Sequence, residues 1–315
     1  MKAVFINEHG GPEVLNYGDL PDPSPKAGEV LIDVVAASIN GADWKVRSGE
    51  SHRQSQFPYV LGRDFSGRVG AIGAGVADLG VGDAVFGVLE LGRDGAQAEK
   101  VAIKSELVTR KPDGISHIEA AALALTGVTA LSAIEETLKL QRGERILIQG
   151  GAGGVAGFAV QLAKHIGAHV ITTASAANHD YLRTLGADEV VDYNTTDFTK
   201  TVTNCDAVFD TVGGDVALRS FAVLKPGALL LLTTPNPSRA YNVQRVLTRT
   251  SIYDPISGYG PYGRHNREYS ARELCELLEA VGYDVTRVAT VETSTARLYR
   301  RALARLGYGE HHLLT

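Results

Sequence analysis

Cysteine is nearly absent: Cys205 and Cys275 are the only two in 315 residues. That is too few for a disulfide framework or a four-cysteine zinc lobe. No apolar run approaches the ~20 residues of a membrane-spanning helix, so neither an integral membrane protein nor a membrane partner is expected. Positive charge is not in surplus either. With 31 Lys and Arg against 36 Asp and Glu, the net charge is -5, and bulk nucleic-acid binding has no electrostatic support. Met1–Ile6 reads as a strand, and Asn7-Glu8-His9 arrives too early for the core of a signal peptide. Internal repeats, low-complexity tracts and long charge blocks are missing as well. What remains is 44% hydrophobic and 21% charged, a globular composition long enough for two domains. A cytoplasmic enzyme is the expectation.

Glycine is the one excess, 35 residues in all, most of them single among Val, Ile and Ala as tight turns require. Up to about residue 120 the chain predicts short strands between turns: Val30–Val35, Gly67–Gly73 and Asp83–Gly87. Such strands suggest a small barrel. The period then changes. Two Ala/Leu-rich helices are predicted at Ile118–Leu125 and Ala130–Glu136. A βαβαβ series follows: strand Arg145–Gln149, helix Gly154–His165, strand His169–Thr173, helix Asp180–Leu185 and strand Glu189–Tyr193. Apolar strands at Ala207–Asp210 and Ala228–Leu232 extend what reads as a parallel sheet covered on both faces. Beyond it lie a helix at Tyr241–Thr250, a Gly/Tyr/Pro-rich loop to Arg267, a capped helix Glu273–Ala280, a strand Asp284–Glu292 and a helix Thr295–Arg305.

Gly150-Gly151-Ala152-Gly153-Gly154-Val155-Ala156 is the most informative segment. Gly151, Gly153 and Ala156 give G-x-G-x-x-A directly after a strand and opening a helix. In that setting glycines let the backbone approach a pyrophosphate, and the helix N-terminus supplies N–H groups and positive dipole. The alternative is a glycine-rich turn with no ligand. An NAD site places an acid at the end of the second strand, about 20 residues on, to bond the ribose 2′-hydroxyl. Here that end reads Thr173-Ala174-Ser175-Ala176-Ala177-Asn178, with the first acid at Asp180. NADPH is therefore the expected cofactor, with Ser175 and Asn178 near its 2′-phosphate; both residues also fit plain loop caps.

Gly150–Ala168 resembles the cofactor turn of zinc-independent quinone oxidoreductases in the medium-chain dehydrogenase/reductase superfamily. So do Ala36–Lys45, Leu61–Gly67, Gly82–Gly87, Ala122–Ala130, Leu185–Tyr193 and Phe209–Gly214, in order and spacing. The resemblance covers about residues 1–230. It implies an α/β protein with a GroES-like β-barrel catalytic domain at 1–122, a Rossmann NADP-binding domain at 123–235, and an active site in the cleft between them. The implied activity is hydride transfer from NADPH to a quinone or activated alkene. Where zinc alcohol dehydrogenases of the superfamily carry a cysteine and a histidine ligand, this chain has Asn40 and Arg63. An amide and a guanidinium cannot replace thiolate and imidazole on zinc, and no metal is expected. By position in the matching motifs, Asn40 is the candidate donor to the substrate carbonyl and Thr126 the candidate beside the nicotinamide. Tyr59 and Arg63 are further catalytic candidates. Asn40 also fits a strand-end cap, and Asp43 reads as structural. Gly150, Gly151, Ala152, Gly153, Gly154 and Val155 are assigned to the cofactor, with Tyr193 beside the adenosine phosphate and Gly213 and Gly214 along the nucleotide. Core packing for Tyr193, and a mere turn for the two glycines, are the alternatives.

Residues 224–315 look different. Leu224–Asn236, Tyr253–Tyr269 and Glu273–Tyr283 resemble the C-terminal part of a class I methyltransferase, which puts a join within the fifth Rossmann strand and makes 236–315 an atypical extension of the sheet. An NADP-binding pseudoenzyme or redox sensor with little turnover is the second functional reading. A homodimer is compatible with either.

Overall fold

The computed structural model describes residues 1–50, 56–90, 93 and 95–232. The expectations for 236–315 fall outside these residues. The chain divides into two compact units at Leu131/Ser132.

The first unit is built on antiparallel pairing. Its elements are β1 (Lys2–Ile6), β2 (Leu15–Asp19), β3 (Glu29–Ala37), α1 (Gly41–Ser48), β4 (Tyr59–Val60), β5 (Asp64–Ile72), β6 (Ala84–Val88), β7 (Lys100–Lys104), β8 (Val108–Arg110) and α2 (His117–Leu131). A five-stranded sheet runs in the order β7-β3-β5-β6-β8, and a three-stranded one in the order β2-β1-β4. Val30, Ile32, Phe65, Val69, Val85 and Ile103 sit on one side of the larger sheet and form its core, the outcome expected where apolar residues recur at alternate strand positions. At the head of α2, Ser116 Oγ accepts from the Glu119 N–H while the Glu119 carboxylate accepts from Ser116 N–H at 2.7 Å. This is a capping box. Two helices were expected here, but His117–Leu131 is a single α-helix. Gly127 costs it about 1 kcal/mol of propensity, which the buried Ala120, Ala121, Ala124, Val128 and Leu131 outweigh. The 21 residues His117–Thr137 have the length and apolarity of a membrane-crossing helix, with more than half of the tested window buried in protein.

The second unit contains β9 (Arg145–Gln149), α3 (Gly154–Ile166), β10 (His169–Ala174), α4 (His179–Thr184), β11 (Glu189–Asp192), α5 (Phe198–Thr201), β12 (Cys205–Asp210), α6 (Asp215–Ser220) and β13 (Leu224–Leu232). All strand pairs are parallel, in the order β11-β10-β9-β12-β13. The middle strand is the one whose Ile146, Leu147 and Ile148 are wholly buried. Because β10 and β12 flank β9 on opposite sides, the strand order reverses at the C-terminal end of β9. That is where a doubly wound sheet opens a crevice for a ligand, and the glycine turn follows there.

Candidate cofactor and catalytic sites

Two glycines shape the turn after β9. Gly150 adopts φ +73°, a left-handed conformation that L side chains resist. A Cβ on Gly151 would lie 2.1 Å from Thr172 Oγ1, which donates to the Ile148 carbonyl. Only glycine fits there. The turn's own N–H groups are largely used internally. Gly150 N–H donates to Thr173 Oγ1 at 3.0 Å, Gly151 N–H to the Thr173 carbonyl and Gly153 N–H to the Gly150 carbonyl. Ala152, Gly154 and Val155 stand outside these bonds. No side chain caps α3, whose N-cap is Gly153, and first-turn N–H groups have no intrahelical acceptor. Gly150, Gly151 and Gly153 give the turn its shape, and the N–H groups of Ala152, Gly154 and Val155 are the ones an anion can use.

At the end of β10, Asn178 Nδ2 donates to Ser175 Oγ at 3.2 Å, and Asn178 N–H to the Ser175 carbonyl. The two candidates meet, within the short 3-10 turn Ala176–Asn178 that Ser175 caps. Asp180 lies beyond them, exposed and paired with Arg183. Tyr193 N–H donates to the Ala174 carbonyl, so Tyr193 sits beside Ser175. Its side chain is 60% exposed, which removes the core-packing alternative. Gly213 and Gly214 take φ +79° and +61°, a conformation that fits glycine whatever else they do. Asp210, 2% exposed, accepts from the N–H groups of Val212 and Gly213. Burial raises its carboxyl pKa against those bonds.

The first unit brings Asn40 and Arg63 together around a carboxylate that the sequence did not single out as functional. Asp64 is wholly buried. Its Oδ1 accepts from Ser38 Oγ at 2.6 Å and from Asn40 Nδ2 at 2.9 Å, and its Oδ2 from Leu125 N–H at 3.3 Å. Asn40 Nδ2 also donates to Ser38 Oγ at 3.1 Å. Ser38 Oγ and Asp64 Oδ1 lie on the same side of the Asn40 amide nitrogen, so its bonding is directed into this cluster. A carboxylate accepts only, which fixes nitrogen toward Asp64. The amide expected to donate to a substrate carbonyl is thus tied to Asp64 and Ser38. Asn40 is also the N-cap of α1, its N–H donating to Asp43 Oδ2 at 2.7 Å. Thr126 follows Leu125 on α2, but its hydroxyl hydrogen goes to the Ala122 carbonyl at 2.7 Å. What its Oγ1 offers is an acceptor.

Arg63 Nε donates to the Leu89 carbonyl at 3.1 Å. Burial raises the carboxyl pKa of both Asp43 and Asp64, opposed by their hydrogen bonds and by the Arg63 charge. The Tyr59 ring packs with Ile6, Val46 and Leu61 and is mostly core. Thus Asn40, Arg63 and the Thr126 turn share one polar cluster, and Tyr59 belongs to the apolar one. Asp64 was legible only as part of Leu61–Gly67, because its partners lie 24 to 61 residues away in sequence.

Known proteins agree with this architecture. The alcohol dehydrogenase GroES-like domain matches residues 26–113, and the zinc-binding dehydrogenase family matches residues 154–270. The chloroplast envelope quinone oxidoreductase homolog of Arabidopsis thaliana is 34% identical over 260 residues, covering 78% of this chain and 79% of that protein. The chloroplastic NADPH-dependent alkenal/one oxidoreductase of the same plant is 35% identical over 244 residues, 74% of this chain and 62% of that protein. The structure of the quinone oxidoreductase from Coxiella burnetii superposes with a TM-score of 0.73 at 30% identity, covering 98% of this chain and 88% of that one.

These matches correct one expectation. The family match reaches residue 270 and the Coxiella structure covers 98% of the chain. Both run past the supposed join, so the likeness of residues 224–315 to a methyltransferase finds no support. The second family's name mentions zinc. Among the described residues no three His, Cys, Asp or Glu side chains converge, and the amide nitrogen of Asn40 and the guanidinium of Arg63 have no lone pair to give. The α/β fold, with its GroES-like and Rossmann-type parts, the nicotinamide-binding context of the glycine turn and the quinone oxidoreductase relatives lead to one conclusion: the chain belongs to the medium-chain dehydrogenase/reductase superfamily.

Proposed function

We propose that the protein is an NADPH-dependent reductase that passes hydride to a quinone or enone without a metal, acting on small molecules in the cytoplasm. We assign residues 1–131 to the catalytic domain and the described residues 132–232 to the cofactor domain, because α2 runs unbroken through the boundary expected at 122/123. The observation that carries the reading is the β9–α3 turn: an uncapped helix start behind two glycines, with Ser175 and Asn178 rather than a carboxylate ending β10. The N–H groups of Ala152, Gly154 and Val155 hold the pyrophosphate, where the helix dipole favours negative charge. Ser175, Asn178 and Tyr193 take the 2′-phosphate, which a carboxylate there would repel. Gly213 and Gly214 run along the nucleotide. The reduced nicotinamide supplies the hydride when bound. Thr126 Oγ1 accepts a hydrogen bond from the nicotinamide carboxamide, since its own hydrogen is spent. Quinones and enones suit a metal-free site because their developing charge is delocalised, leaving positioning as the protein's task.

A second reading, an NADP-binding protein with little turnover, is favoured by one observation. The Asn40 amide nitrogen bonds Asp64 and Ser38 within the protein, which draws on an expected oxyanion donor. Titration with NADPH and NADH, beside steady-state reduction of a simple quinone and a simple enone, separates the readings. Tight NADPH binding with turnover supports the first. Tight binding without turnover supports the second, and equal affinity for both cofactors contradicts the 2′-phosphate assignment.

A further inference from the structure

A buried chain of hydrogen bonds leads away from the glycine turn and ends in α6. Gly150 N–H donates to Thr173 Oγ1 at 3.0 Å, and Thr173 Oγ1 donates to Gln149 Oε1 at 2.7 Å. Gln149 Nε2 donates to Ser220 Oγ at 3.1 Å, and Ser220 Oγ to the Val216 carbonyl at 2.8 Å. Every hydrogen has one direction. Thr173 is 3% exposed, Gln149 1% and Ser220 0%, so water cannot replace a missing link. A threonine hydroxyl is the group that accepts from a peptide N–H and donates to an amide oxygen at once; a valine of the same shape does neither. The peptide so gripped is the left-handed one at Gly150. It decides where the chain turns before Ala152, Gly154 and Val155. The other end of the chain lies in α6, which follows Gly213 and Gly214 directly, and Thr211 Oγ1 donates to the Gln149 carbonyl at 2.8 Å. Both segments proposed to border the nucleotide are thus fastened to one internal network.

We propose that Thr173 and Gln149, with Ser220 as the far anchor, are positioning residues for cofactor binding. They touch no ligand, and set the Gly150 peptide so that the following N–H groups meet the pyrophosphate. This rests on the NADPH reading above. A buried donor and acceptor left without partners shift to regain them, and the turn is the part free to move.

The test is fluorescence titration of the full-length protein with NADPH and, in competition, with 2′-AMP, which carries the 2′-phosphate but no pyrophosphate. Circular dichroism checks folding. Thr173→Val is expected to weaken NADPH about tenfold and 2′-AMP less than about twofold, while Thr173→Ser restores NADPH to within about twofold of the unaltered protein. Ser220→Ala, a milder change at the far anchor, is expected to weaken NADPH roughly threefold and 2′-AMP not at all; it carries the test if Thr173→Val does not fold. Unchanged NADPH affinity in folded Thr173→Val or Ser220→Ala, equal weakening of both ligands, or a serine variant as weak as the valine one would overturn the proposal. Failure of the unaltered protein to bind NADPH would instead overturn the cofactor reading itself.

Discussion

Replacing Asp64 probes the polar cluster of the first unit. Its carboxylate is wholly buried and accepts from Ser38 Oγ, Asn40 Nδ2 and Leu125 N–H. In Asp64→Ala three donors lose their acceptor, each at about 1–3 kcal/mol when buried. Against that, the variant no longer buries a charge, and the repulsion between Asp43 and Asp64 disappears. The balance is a loss of about 3 kcal/mol. Asp64→Asn keeps the volume and one acceptor oxygen for Ser38 and Asn40, but turns an N–H toward Leu125 N–H. Losing one bond while shedding the buried charge leaves about 1 kcal/mol. The pH dependence has a definite sign. Burial raises the folded Asp64 pKa above its ordinary 3.8, so the carboxyl contributes most stability below pH 3.8 and loses it as pH rises toward the folded value. The penalty of Asp64→Asn is therefore larger near pH 3.5 than at pH 7. Urea unfolding at the two pH values measures both effects. An Asp64→Asn penalty equal to that of Asp64→Ala would refute the hydrogen-bond account.

Other outcomes follow from the cofactor unit. Gly151→Ala should destabilise the protein by more than about 2 kcal/mol, because the new methyl meets Thr172 Oγ1 at 2.1 Å. Gly153→Ala meets only the Gly150 carbonyl, at 3.2 Å; it should fold normally and weaken NADPH, and thermal melts beside titration distinguish the pair. Ser175→Asp sets a charge near the 2′-phosphate; at about 4 kcal/mol per charge pair in a surface-like dielectric, halved for exposure, it should weaken NADPH roughly 30-fold and leave NADH nearly unchanged. The His169 hydrogen bond holds the Glu189 carboxyl below its ordinary 4.5, with help from Arg145. That stability is present above pH 4.5 and is lost as pH falls through the folded value. Glu189→Gln should thus cost half a kcal/mol or less at pH 7 for this partly exposed pair, and the difference should shrink as pH falls below 4.5.

Much of the second unit was legible because its strands are local and saturated with Ile, Val and Leu. Arg145–Gln149 was read to the residue, and helix Gly154–His165 stopped one residue short of the observed Ile166. In the first unit β1, β3, β5 and β6 emerged, the last two from their bracketing glycines, whereas β2, β4, β7 and β8 did not. Their stability comes from partners far along the chain, as when Lys100–Lys104 pairs with Glu29–Asp33, and short polar-rich segments carry little periodicity of their own. The glycine turn was visible as a motif, but which of its N–H groups stay free was not. That depends on Thr173, which comes from the next strand. For the same reason the internal partners of Asn40 were hidden: the sequence shows an amide, and only the fold shows that its nitrogen bonds Asp64 and Ser38.

The central claim is hydride transfer from NADPH to an activated alkene without metal. It is tested most directly by incubating the purified protein, in excess chelator, with a simple enone and NADPH deuterated at the transferring C4 position, and reading the product by mass spectrometry. The account predicts one deuterium on carbon in the reduced enone and a rate unaffected by the chelator. NADPH consumed with no deuterium in the product, or transfer abolished by chelation and restored by zinc, would contradict it.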